Sequence, residues 1–432
     1  MPENRSHSRE ERKCRTSNVD VERRTGDAGA AAPYLIRMAA PLVTPRFLTM
    51  FVFSFLVFTS VFQLLPVAPY RMIALGGTAA SAGWFLGLLT MSCAVAAPFT
   101  GPLCDRVGHR RALIIAGSLL SVITASYAAV DDNRVMLAIV VAHGVVWSAL
   151  MAASSAYATA TIPPTRRAEG LGYWGMASIV AIGIAPSLGF AVYRFGWTVL
   201  CLELATLNVL MTLVAWLLPD ERVAAAAAAT PGENLLPARD EARRFGIEWR
   251  VIALAVCLSM ISFGYGGLTS FSALFADAIG VAPRSTFLSA MACSVVVSRL
   301  FVGRRLDSWG AGAVLVVSLV IPVCGLVLLA TASGRVGFVL AGLTFGLGFG
   351  LVWPSFAALV MASIPMARRG AAFGAILAAF DTGIGLGSAT TGWVVRAHGF
   401  RPAYAVAAVV AALALPYFLV ARRRLPLGDA VH

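Results

Sequence analysis

Apolar residues fill run after run of about twenty positions between residues 47 and 420, and glycine, proline, arginine and acidic residues collect in the breaks between them. A helix needs roughly 20 consecutive apolar residues to cross the hydrocarbon core of a bilayer, where only intrahelical bonds can satisfy its backbone. Runs of that kind cover 47–68, 83–101, 112–130, 135–161, 170–192 and 197–218, and then 249–271, 285–303, 312–331, 336–362, 370–392 and 400–420. A charged stretch parts the two sets. The pattern predicts an all-α polytopic membrane protein of 12 transmembrane helices: a disordered polar leader at 1–46, a six-helix bundle at 47–218, a cytoplasmic linker at 219–248, a second six-helix bundle at 249–420 and a tail at 421–432.

Composition agrees. Hydrophobic residues make up 59% and charged residues 13% of the 432 positions, and the mean hydropathy is +0.80, a balance foreign to soluble globular chains. The net charge of +13 invites a nucleic-acid partner, but the positive residues form no continuous patch. Their placement reads as orientation in the bilayer: the leader, the even-numbered loops and the tail hold about 26 of them, against about 7 in the odd-numbered loops. Both termini are therefore expected in the cytoplasm and the chain in the inner membrane. Lys13 is the sole lysine, so the phosphate-cradling G-x-x-x-x-G-K-[ST] loop is absent and an ion gradient, not ATP, is expected to supply the energy. Seven cysteines show no C-x-x-C spacing, so neither disulfides, a metal nor a cofactor is expected. The leader has no apolar core followed by a cleavage signal, and part of it reads as an over-long gene start.

The two bundles repeat each other at an offset of 202 residues. Gly101, Asp105 and Gly108 correspond to Gly303, Asp307 and Gly310, while Ile162, Pro163, Arg166, Arg167 and Gly172 correspond to Ile364, Pro365, Arg368, Arg369 and Gly374. Both blocks fall at the cytoplasmic ends of equivalent helices, so the halves are parallel copies about an axis along the membrane normal, with a substrate path expected between them.

The run Gly101-Pro-Leu-Cys-Asp105-Arg106-Val-Gly108-His-Arg110-Arg111 resembles the G-x-L-x-D-R-x-G-R-R loop between the second and third helices of the major facilitator superfamily, and Gly303-Arg-Arg-Leu-Asp307-Ser-Trp-Gly310 is its degraded copy. Helices five and eleven begin at the same face, so their positive dipole ends favour a nearby carboxylate, which Asp105 and Asp307 are placed to supply. The resemblance implies that Asp105 docks near helix eleven and Asp307 near helix five. Arg106, Arg110 and Arg111, with Arg166, Arg167, Arg368 and Arg369 in the second pair of loops, would then close the cytoplasmic side as gates. The alternative is that these arginines only fix topology. Gly172, Pro186 and Gly189 on helix five match a glycine-proline signature of the twelve-helix drug and metabolite efflux branch, whereas Ala181, Ala185 and Phe190 depart from it. On helix four, Val140 stands where many proton-coupled relatives carry arginine, which puts a family-standard proton relay in doubt.

Ionisable residues within the bilayer are costly and mark function by default. Asp381 is foremost, about 11 residues or roughly 16 Å into helix eleven, where its carboxyl group can exchange a proton with either side as access alternates. Arg299, one turn from the end of helix eight, either snorkels or pairs with Asp381 or an anionic substrate. Glu203 on helix six and His143 on helix four complete the proton-coupling candidates. Gln63, Trp147, Tyr157, Tyr265 and Trp353 are candidates to line a mostly apolar cavity with a few polar handles. Gly383, Gly385 and Gly387 resemble part of a dinucleotide fingerprint but lie within a membrane helix, where they predict close helix packing. The expected function is secondary active, proton-coupled efflux of a small organic compound by alternating access, by a monomer whose partners are its substrate, protons and lipid. A proton-coupled uptake symporter for a sugar, carboxylate or other nutrient is the rival within transport. A non-transporting receptor or scaffold is the rival of another class, and a membrane-embedded enzyme lacks any nucleophile or metal cluster.

Overall fold

Thr44 opens the first helix: its Oγ1 accepts the Phe47 amide at 3.1 Å, and Pro45 fills the first turn, where no amide is needed. Thr78 and Ser81 form a reciprocal capping box at the start of the second, and Asp132 caps the fourth by accepting from Arg134 and Val135. Polar caps at such points explain why helices begin where the apolar runs begin.

The computed structural model describes residues 44–162, 167–220, 249–301, 311–363 and 369–424. In chain order it contains α1 (Pro45–Ala74), α2 (Ala79–Val107), α3 (His109–Ser126), α4 (Asn133–Thr161), α5 (Arg167–Tyr193), α6 (Trp197–Leu217), α7 (Trp249–Ala278), α8 (Thr286–Phe301), α9 (Ala311–Thr331), α10 (Arg335–Ser363), α11 (Arg369–His398), α12 (Phe400–Ala412) and α13 (Ala414–Arg424). The last two form one span broken at Leu413, so the chain is the expected all-α protein with twelve spans. Among the described residues, ten spans are long and apolar enough to cross a bilayer by length and composition. The other two are α8, with 16 described residues, and α11, diluted by glycines, threonines and Asp381.

Contacts within the halves repeat. In the first, α2 packs on α4, α1 on α5 and α6, and α3 on α4 and α6; in the second, α8 packs on α10, α7 on α11 and α12, and α9 on α10 and α12. Between the halves α2 meets α11, α5 meets α8, and α1 meets α7. A two-fold operation that exchanges the halves maps these three contacts onto themselves, as duplicated bundles require. Large apolar side chains such as Val95, Phe99, Leu217 and Val336 stand exposed on the outer surface, the surface lipid covers.

The leader up to residue 43, the linker from 221 to 248 and the tail from 425 lie outside the described residues, as do Gly303, Asp307, Gly310, Arg166 and Arg368. The side chains of Arg167 and Arg369 do too.

Candidate functional site

One face of α11 carries Asp381, Gly385, Ser388 and Gly392, spaced i, i+4, i+7 and i+11, and this stripe meets α2. A Cβ added at Gly83 would fall 2.5 Å from the Ser388 carbonyl, one at Gly385 would fall 2.7 Å from Thr90 Oγ1, and one at Gly392 would fall 2.5 Å from the Ala79 carbonyl. Ser388 Oγ donates to the Gly83 carbonyl at 2.9 Å. The halves therefore touch backbone to backbone at the end of the molecule that carries the α1–α2 turn, here termed the first-loop end. Toward the Asp105 end the same stripes are open among the described residues: added Cβ atoms at Gly101 and Gly374 would meet none of them within 4 Å, and Leu377 is exposed. The α5–α8 contact joins Ser187 to Ser285 at 2.9 Å near the first-loop end and continues past Gly183, beside Ala292, to Gly175, where an added Cβ would lie 3.9 Å from Arg299 Nη1.

Asp381 sits where this seam ends. Its Oδ2 accepts a hydrogen bond from the buried Cys93 thiol of α2 at 3.2 Å, and the residue is half-buried. Ser148 of α4 lies against the same thiol and bonds Thr100 at 2.9 Å. Among the described residues no basic side chain bears on Asp381. Arg299 instead donates from Nε to the Gly350 carbonyl at 3.2 Å, so the structure does not join Arg299 to Asp381. Sequence reasoning missed Cys93, because the rotation of α2 against a helix 288 residues away leaves no local signal.

The other candidates occupy separate places. Gln63 of α1, wholly buried, donates to Glu203 of α6 at 3.0 Å. Gly189 from the helix-five signature presses on the backbone of that same Gln63, where an added Cβ would lie 2.8 Å from its carbonyl, and Pro186 sits one turn before it within α5. His143 is buried and shares a 3.0 Å hydrogen bond with Tyr127, whose carbonyl accepts from Trp197. Tyr157 is buried, with its hydroxyl on the Pro219 carbonyl at the end of α6. Tyr265 stacks on Phe349 at 4.6 Å and on Phe380 at 6.5 Å, while Trp353 meets Phe380 edge-on. Trp147 likewise meets Phe58, so aromatic groups, half-buried except for the buried Tyr265, flank the parting halves from α1, α4, α7, α10 and α11.

At the first-loop end a second polar cluster spans the halves. Tyr70 of α1 donates to Asp277 of α7 at 2.9 Å, Arg284 pairs with the other Asp277 oxygen at 2.9 Å, and the guanidinium lies 4.9 Å from the Tyr70 ring centre. Phe190 and Tyr193 of α5 pack around that ring. The ion pair is more than a third exposed, so its share is screened to well under 1 kcal/mol. The hydroxyl bond and the cation–π contact each add about 0.5–1 kcal/mol. The ion pair lies within the second half, so only the hydroxyl bond and the cation–π contact cross between the halves and bias closure. Asp277→Ala removes the hydroxyl bond and leaves the cation–π contact, so it is expected to raise labelling of a Ser285→Cys reporter by a membrane-impermeant maleimide, applied from the first-loop side, about two- to fivefold; unchanged labelling would remove the cluster as a latch.

In the signature loop Gly108 alone joins α2 to α3, at φ +95, a conformation that L side chains avoid. Asp105 is exposed and bonds His109 at 3.1 Å, and Arg110 donates to the Trp216 carbonyl at the end of α6. The cross-half docking expected of Asp105 and Asp307 involves α11 side chains and a loop outside the described residues.

The sequence profile of the Major Facilitator Superfamily matches residues 50–388. YhhS of Escherichia coli K12, an uncharacterised MFS-type transporter, is 23% identical over 384 residues, which span 86% of this chain and 91% of that protein. An uncharacterised MFS-type transporter of Pseudomonas aeruginosa is 27% identical over 404 residues, covering 89% and 95%. Solved structures with the same fold include the nucleoside transporter NupG, with a TM-score of 0.68 at 18% identity over 88% of this chain and 100% of that one. A D-xylose-proton symporter reaches 0.72 at 16% identity over 89% and 98%.

Proposed function

The chain belongs to the major facilitator superfamily, and from that premise we propose that it exports a small organic compound in exchange for protons, with Asp381 as the residue that carries the proton. Membership makes it a multi-pass membrane transporter and not an enzyme. The observation that carries the finer reading is the position of Asp381: a carboxyl group in mid-helix, at the point where the seam between the halves ends. Such a group is screened on one side and reachable from the other, and opening the seam reverses the two.

Arginine placement assigns the Asp105 end to the cytoplasm and the protein to the inner membrane. In that orientation the α2–α11 seam is shut on the outer side and, among the described residues, parted on the cytoplasmic side. Compound entering from the cytoplasm displaces the proton from Asp381; closure behind it and parting of the α2–α11 seam release the compound outward, where Asp381 is protonated again. The glycine-proline signature of helix five favours export, and its Gly189 packs on the backbone of the buried Gln63. Aromatic walls with few free polar groups suit a compound with an apolar body. Uptake of a polar nutrient would ask for hydrogen-bonding side chains facing the path, and the amide nitrogen of Gln63 is already engaged by Glu203.

The test is flux into inverted membrane vesicles with an acidic lumen, over a panel of cationic, neutral and anionic aromatic compounds. Export predicts accumulation of at least one compound with matched loss of lumenal protons, and collapse of both by a protonophore. Protons and compound moving the same way would establish a symporter instead, and flux indifferent to the gradient would rule out proton coupling.

A further inference from the structure

The seam between α2 and α11 is built almost wholly of groups that cannot change state. Gly83, Gly87, Gly385 and Gly392 bring the backbones together, and Ser388 bonds the Gly83 carbonyl. Its last contact toward the open end is different in kind: a thiol on one half bonded to a carboxyl group on the other. A carboxylate accepts a hydrogen bond from a thiol far better than a carboxylic acid does, and in surroundings of low dielectric the difference grows.

We propose that Cys93 is a positioning residue for proton coupling: its thiol holds the ionised Asp381 carboxylate against α2, so that Asp381 gives up its proton while the seam is shut and takes one up once the seam has parted. The proposal rests on Asp381 being the proton carrier. The thiol keeps its hydrogen throughout. Only the Asp381 proton is exchanged with water, and the bond between the halves changes strength with it. Ser148 also lies against the Cys93 sulfur and is bonded to Thr100, so the thiol has a polar neighbour within the first half as well.

No other group is placed to do this among the described residues. On α7, Ser259 donates to the Ala379 carbonyl and Ser262 lies beside Gly383, neither of them titratable, while Tyr265 stacks on Phe380. From α10, Trp353 faces Phe380; Arg299 of α8 is held at Gly350; and Tyr404 of α12 packs against Phe275. Cys93 is the titratable side chain in contact with Asp381.

Infrared difference titration of the full chain in lipid vesicles tests this with protons as the only ligand. The carboxyl band is assigned by its loss in Asp381→Asn, and the S–H band by its loss in Cys93→Ala. The proposal expects both bands to change at one pH midpoint in the unmodified protein and the S–H band to become insensitive to pH in Asp381→Asn. In Cys93→Ala the carboxyl midpoint moves about one pH unit to the alkaline side, because the ionised form has lost a donor; Cys93→Ser restores it. A carboxyl midpoint that stays put in Cys93→Ala, or an S–H band that ignores pH, overturns the role of Cys93 while leaving Asp381 its own. If no titrating carboxyl band disappears in Asp381→Asn, the carrier reading falls and this inference falls with it.

Discussion

Asp381→Asn is expected to abolish gradient-driven transport while leaving the protein folded in the membrane. Asparagine keeps the shape of the side chain, and its amide oxygen can still accept from the Cys93 thiol that meets Oδ2 at 3.2 Å. What it cannot do is bind and release a proton. In inverted vesicles the gradient-stimulated rate should fall by about tenfold or more, to the level seen with a protonophore, whereas downhill exchange of the same compound continues. Substrate-dependent proton movement that persists in Asp381→Asn would show that Asp381 is only a fixed strut between α2 and α11. Loss of downhill exchange as well would mark it as a substrate contact. Neither Glu203 nor His143 is expected to match the effect, for each is already committed within the first half, to Gln63 and to Tyr127, and lies away from the parting stripes.

Much of this was legible in the sequence, for identifiable reasons. Bilayer thickness sets the length of each apolar run, so the twelve spans could be read directly. Their ends could not: α7 runs on to Ala278 and α11 to His398, past the residues where the apolar pattern stops at 271 and 392, because backbone hydrogen bonding continues through the interfacial region after lipid no longer demands apolar side chains. Asp381 stood out by depth alone. Its partner did not, since whether α2 turns Cys93 or Ser92 toward α11 depends on how two distant helices rotate against each other. Tyr70, Asp277 and Arg284 were passed over for the opposite reason: polar residues near helix ends are ordinary, and only the meeting of α1 with the α7–α8 turn makes them a cluster. For Arg299, the Gly350 carbonyl beside it, which a sequence pattern does not reveal, is what it bonds.

The three glycines at 383, 385 and 387 point to the other large effect. They look alike in sequence, yet a helix turns about 100° per residue, so Gly383 and Gly387 share one face and Gly385 takes another. The first two meet α7, where an added Cβ would collide with Ser262 and with the Phe263 carbonyl, and Gly266 returns the contact onto the Ile384 carbonyl. That packing joins α7 to α11 within one half and has to survive every step of the cycle. Gly385 faces α2 across the seam that must part. Gly387→Val should therefore prevent assembly of the second half: the obstacle is a backbone oxygen that cannot rotate away, so the cost is about 3 kcal/mol or more, and the yield of monodisperse detergent-solubilised protein should collapse. Gly385→Val meets Thr90 and Met91 side chains and the Gly87 carbonyl, and only when the seam is shut. It should leave the yield near that of the unmodified protein while biasing the seam open, seen as faster labelling of a Ser388→Cys reporter from the first-loop side. Equal loss of yield in the two variants would mean that α11 packs on α2 as permanently as on α7, and the rocking of one half against the other would have to run along a different seam.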